Sequence, residues 1–145
     1  MSPSDVVHRD ASSGVTSPWR DVTRLLSVLD GAGLGLWSWD VWRGAVSWSH
    51  GTAKLFGLEE RLAEISYDHF LILVASEDRT HVEAAMQSIA EGRKVRINLR
   101  HRVHWPDGTE RWLELDGELQ DTHEPKVAVG IVRDITEQRL KREHW

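Results

Sequence analysis

Residues 33–50 read GLGLWSWDVWRGAVSWSH and hold four tryptophans, Trp37, Trp39, Trp42 and Trp48. That density poses a choice between an aromatic ligand cage and a core built from large side chains, because each ring buries much apolar area wherever it is placed. The local pattern favours strands. Leu36-Trp37-Ser38-Trp39-Asp40 and Ala45-Val46-Ser47-Trp48 are short alternating runs around a Val-Trp-Arg-Gly connection, which predicts a hairpin. Alternation puts Trp37 and Trp39 on one face of the first strand, brings Trp48 of the second beside them and leaves Trp42 in the turn. Packing then accounts for three rings without a ligand. The face that bears them is expected to be capped by an N-terminal helix or pressed into a dimer.

Upstream, residues 1–17 are rich in Ser, Asp and Thr without periodicity and read as a flexible leader. Ser17-Pro18 is a helix-start signal, since the serine hydroxyl accepts an orphan amide and proline has none to satisfy. Val22, Leu25, Leu26 and Leu29 follow at helical spacing, so an amphipathic helix is expected from about 18 to Gly31. Downstream, Ala53, Leu55 and Phe56 form a short helical turn before Gly57, and Ser66 caps a segment holding Tyr67, Phe70, Leu71 and Val74. Ser76 then introduces the clearest helix, with Glu77 and Asp78 in the first turn where the helix dipole favours acids. Its buried stripe is Val82, Ala85, Met86 and Ile89, and Gly92 stops it. The last third alternates as strands do: Val95, Ile97, Leu99, His101 and Val103 on one face, then Leu113, Leu115 and Leu119 after the Pro106-Asp107-Gly108 turn, then residues 127–132. The class is α+β.

Composition narrows the function. A chain of 145 residues with 40% apolar and 28% charged residues suits one globular domain, and its short apolar runs cannot span a bilayer. The N-terminus lacks the basic start and apolar stretch of a secretory signal, so a cytoplasmic location is expected, with no membrane insertion. A net charge of −5 with dispersed Lys and Arg gives no footprint for nucleic acid. The absence of cysteine removes thiolate catalysis, Cys-ligated zinc and cysteinyl-flavin photochemistry.

Several short signals, in order, resemble those of a PAS domain of bacterial sensor proteins. Gly35, Trp37, Trp39 and Asp40 are similar to its G-x-W-x-W-D opening, Trp48-Ser49 to its W-S, and Leu55-Phe56-Gly57 to its L-F-G. Glu77-Asp78-Arg79 is similar to the end of its H-P-E-D-R, Asp107-Gly108 to its turn, Arg111-Trp112 to the next strand, and Asp134-Ile135-Thr136 to its closing D-I-T. One departure is visible: Ala75-Ser76 stands where the family has His-Pro, so any role of that pair does not carry over. The resemblance implies a five-stranded antiparallel sheet with helices on one face, and a ligand crevice between sheet and helices. The organisation expected is a leader at 1–17, an N-terminal cap or dimerisation helix at 18–31, a PAS domain at 32–136 and the start of a C-terminal signalling helix at 137–145.

His101 is the polar member of an apolar stripe, and an imidazole buried without a partner costs a few kcal/mol, so it must be paired or lie at the crevice mouth. The resemblance makes Ile97, Leu99, His101, Leu113, Leu115 and Met86 the ligand-pocket candidates. It also makes His81, early in the long helix, resemble the axial histidine of haem-binding PAS sensors, so haem is an alternative to having no cofactor. His101 and His104 face opposite ways on a strand and make no metal pair, and Glu59-Glu60 reads as a solvated face. No phosphate loop, nucleophile elbow or helical HExxH is found, so no catalytic residue is expected. The resemblance therefore implies a sensor and homodimerisation module of a histidine kinase or cyclic-di-nucleotide enzyme, with the effector C-terminal to residue 145. Val22, Leu25, Leu26 and Leu29 are its dimer-interface candidates, and Asp134, Ile135 and Thr136 couple the signal. A small-molecule ligand in the crevice and a ligand-free interaction module are its two competing readings.

Overall fold

The computed structural model describes residues 21–59, 63–121 and 126–143. The leader at 1–17, the Ser17-Pro18 start, Glu60, the loop at 122–125 and residues 144–145 lie outside these described residues. Helix α1 (Val22–Gly31) is capped by Asp21, whose carboxylate accepts a hydrogen bond from the Arg24 amide at 3.3 Å. The hairpin forms where alternation placed it, as β1 (Leu34–Asp40) and β2 (Ala45–Trp48), with Trp37 opposite Trp48 and Trp39 opposite Val46. Short helix α2 (His50–Leu55) ends at Gly57, which adopts φ +77°. A Cβ there would lie 2.5 Å from Trp105 Cδ1, so the close approach requires glycine.

A sixth strand corrects the expected five. Strand β3 (Glu64–Ser66) pairs with β2, and at three residues it is too short for its alternation to stand out in sequence. Ser66 caps α3 (Tyr67–Leu73) by accepting from the His69 amide at 3.0 Å. Ser76 does not cap α4 (Ser76–Ala90). Ala75 holds that position, and the Ser76 hydroxyl instead donates to the Glu77 carboxylate. Three long strands follow, β4 (Arg96–His104), β5 (Glu110–Asp121) and β6 (Val127–Asp134), and then helix α5 (Thr136–Glu143). Val95 falls before β4 and is 55% exposed, so the buried stripe starts at Ile97.

The strand order is β3-β2-β1-β6-β5-β4, antiparallel throughout. Helices α2, α3 and α4 cover one face, and the core between contains Trp37, Trp39, Trp48, Phe56, Phe70, Met86, Leu113 and Leu115. The ring-bearing face is thus the helix side. Neither α1 nor a second chain covers it, because the C-cap of α2 and the first residue of α3 supply the stacking partners: Phe56 for Trp48 and Tyr67 for Trp39, at centroid separations of 5.1 and 4.7 Å. Trp42, in the turn, is 79% exposed. Helix α1 fully buries none of its residues. Leu25, Leu26 and Leu29 are half-buried while Val22 is exposed.

Candidate functional site

The crevice between sheet and helices is closed by its own side chains. Trp37, Val46, Trp48, Thr52, Phe56, Phe70, Met86 and Leu115 leave a void of about 10 Å³, no more than one water can use. Gly35 lets β1 and α2 meet here. A Cβ at that position would overlap Thr52 Oγ1 and approach the Thr52 Cα and N to 2.8 Å. The threonine hydroxyl, fully buried, donates to the Leu36 carbonyl at 2.7 Å, and the Trp37 indole donates to the Ile131 carbonyl at 3.2 Å.

His101 is buried among these rings, 6.1 Å from Phe56 between centroids. Its Nδ1 lies 3.4 Å from the Arg102 carbonyl, and its Nε2 has no partner among the described residues. Burial pushes its pKa down to about 4, with the Arg102 carbonyl opposing the shift. Of the pocket candidates, Met86 and Leu115 line the void, whereas Ile97, Leu99, His101 and Leu113 are buried in the surrounding core.

His81 lies elsewhere. It is exposed on α4, with Nε2 3.1 Å from the Arg100 carbonyl of β4. That nitrogen donates to the carbonyl, and ligating iron would require the bond to be given up. A macrocycle also needs a pocket of roughly several hundred Å³. The residues in place do not fit a haem.

Where the sheet ends, the chain is strapped down. The Asp134 carboxylate receives Arg111 Nε at 2.8 Å and the Thr136 amide at 2.8 Å. The Thr136 hydroxyl accepts from the Trp112 amide at 2.8 Å, Ile135 N donates to the Trp112 carbonyl, and the Ile135 side chain is buried. Helix α5 therefore departs from β5 as well as from β6. On the sheet face opposite the helices, Glu114 is buried between Arg100 and Arg133. Its burial alone would raise the carboxyl pKa, but hydrogen bonds from both arginines outweigh this and hold it below the usual range. Sequence reading passed over Glu114 and Thr52. Glu114 alternates like any outward strand residue, and the sole clue was an arginine at the matching place on each neighbouring strand.

A family model described as the PAS fold matches residues 45–132. The chain belongs to the PAS family. The PAS domain is 29% identical over 121 residues to a blue-light-activated histidine kinase of Brucella anthropi, covering 83% of this chain and 24% of that protein. It is 27% identical over 113 residues to the sensor protein FixL of Bradyrhizobium diazoefficiens, covering 77% of this chain and 22% of that one. The chain thus spans about a quarter of the length of these relatives. Among solved structures, a sensory box histidine kinase/response regulator from Burkholderia thailandensis superposes with a TM-score of 0.68 at 27% identity, covering 83% of this chain and 91% of that one. These relatives place PAS domains like this one in signalling proteins. No helix among the described residues is long and apolar enough to cross a membrane.

Proposed function

We propose that this PAS domain is the regulatory sensor and homodimerisation module of a cytoplasmic bacterial signal-transduction protein, with α5 the start of a helix that carries the domain's state to a C-terminal effector. A histidine kinase or a cyclic-di-nucleotide enzyme is the effector this reading requires. The observation that carries it is the Asp134–Thr136 junction, where two hydrogen bonds tie Ile135 and Thr136 to Trp112 of β5 and a third ties the Thr136 amide to Asp134 at the end of β6. A shift in sheet geometry reaches the helix through those bonds. The test is Asp134→Ala with Thr136→Ala in the full-length protein. Loss of effector regulation in a folded variant is expected, and unchanged regulation overturns the coupling.

Dimerisation is assigned to α1. Val22 is exposed, and Leu26 borders an open groove of about 550 Å³ with Leu36, Val129 and Ile131 on the outer sheet face. Sedimentation equilibrium is expected to give a dimer that Leu26→Glu dissociates. A wild-type monomer at all concentrations rejects this assignment.

The filled crevice supports a second reading, in which the domain takes a conformational input and holds no small molecule. Native mass spectrometry separates the two: an empty protein supports this reading, and a stoichiometric bound molecule rejects it.

A further inference from the structure

We propose that the outer face of the sheet, where β4, β5 and β6 meet α5, binds a small oxyanion, a phosphate or carboxylate group. Arg100, Glu114 and Arg133 stand directly opposite one another on the three strands. Arg100 Nε reaches one Glu114 oxygen at 3.2 Å, and Arg133 Nε and Nη2 reach the other at 2.7 and 2.5 Å. Both carboxylate oxygens are therefore already engaged. Helix α5 brings Arg139, Arg142 and Gln138 to the same cleft, which encloses about 30 Å³. Four arginines thus line a cleft that holds one carboxylate, and two of them are bonded to it.

Two of these arginines, Arg139 and Arg142, come from α5. Among the described residues neither meets a carboxylate, and the Nε of Arg139 is buried with no acceptor. Arg139 cannot simply swing to solvent without losing its stack, for its guanidinium carbon lies 3.7 Å above the Trp112 ring. Arg100 and Arg133 are half-exposed and Arg142 is exposed, so water screens part of their repulsion; at the buried Arg139 Nε the group that relieves the rest is an anion with oxygens to accept the unspent N–H donors. The guanidinium fork suits phosphate and carboxylate, and the enclosed volume admits one such group and no bulky ligand. Bound there, the oxyanion bridges α5 to the sheet.

The test is a titration of the 145-residue chain with inorganic phosphate and, separately, acetate, following the arginine Nε–Hε resonances by NMR, with chloride at matched ionic strength as reference. A saturable shift at Arg139 is expected, with phosphate or acetate preference naming the group. Arg142→Gln, which leaves the Trp112 stack intact, should weaken the affinity about tenfold, the size of one lost charge-assisted hydrogen bond. A shift that chloride reproduces, or an affinity unchanged in a folded Arg142→Gln variant, overturns the site.

Discussion

Asp78 and Arg102 clamp the start of α4 to the C-terminal part of β4. Arg102 donates through Nε at 2.9 Å and Nη2 at 2.8 Å, and its backbone amide reaches the same carboxylate at 2.7 Å. The carboxylate is buried, so neutralising it leaves the Arg102 guanidinium with only the more exposed Glu77, 3.7 Å from its Nη1. Asp78→Asn is expected to cost about 1–3 kcal/mol in urea denaturation. The hydrogen bond from Arg102 holds the Asp78 carboxyl below its ordinary range, with burial opposing. The clamp is therefore fully present above the unfolded-state carboxyl pKa of about 4 and lost as pH falls through the lower folded value. An Asp78→Asn protein whose acid limb matches that of the wild type would refute this account.

His101 works in the opposite chemical sense but on the same side of neutrality. The unfolded chain takes up a proton as pH falls through 6.5, while the folded chain refuses it until about 4. Stability is therefore expected to fall across that window by up to about 3 kcal/mol and to level off below it. His101→Leu removes the titration and the unpartnered nitrogen together. Its denaturation midpoint should exceed the wild-type value more at pH 5 than at pH 8; equal differences at the two pH values count against burial as the cause.

Gly35→Ala places a methyl group into Thr52. A loss of about 1–3 kcal/mol is expected from overpacking. Thr52→Ala on that background should not fully restore stability, since the Thr52 Cα and N would still lie 2.8 Å from the added methyl group. Full rescue would show that the hydroxyl alone sets the limit.

Met86 fills the crevice from α4. Met86→Ala should cost about 2–5 kcal/mol and open an apolar cavity able to take up benzene. The measurement is a benzene-dependent rise in melting temperature in the variant and not in the wild type. A wild-type rise of equal size would mean that the crevice already opens without the mutation.

Thr136→Val removes the hydroxyl that accepts from the Trp112 amide. Hydrogen exchange at the α5 amides is expected to accelerate about tenfold, in line with the loss of an N-terminal helix contact, while the β4 amides stay protected. Uniform acceleration through the sheet would point instead to global destabilisation.

Most of the fold was legible because alternation and helical period report burial directly. The stripe from Ile97 to Val103, the Ser66 cap and the Asp107-Gly108 turn all appear at their places. What stayed hidden depends on tertiary partners. Alternation showed that Trp37 and Trp39 share a face, yet only the stacking of Phe56 and Tyr67 on Trp48 and Trp39 tells that this face meets the helices. Strand β3 offers three residues, too few for a pattern, and exists because β2 has an edge to pair. The candidate site was less legible. Met86 and Leu115 line the void, but His81 reads the same in sequence whether it faces a cofactor or the Arg100 carbonyl.

The strand order also governs how the chain can be made. The halves β3-β2-β1 and β5-β4 each emerge from the ribosome with an open edge, and the strand that joins them, β6, is the last to appear. Trp37 must wait for Ile131, 94 positions later, before its indole finds the carbonyl it bonds. A nascent chain paused before residue 127 thus carries two edges, β1 and β5, that β6 has yet to close and that can recruit other strands. Closure of the sheet then coincides with arrival of Thr136, so the domain is completed in the same step that sets the first turn of α5.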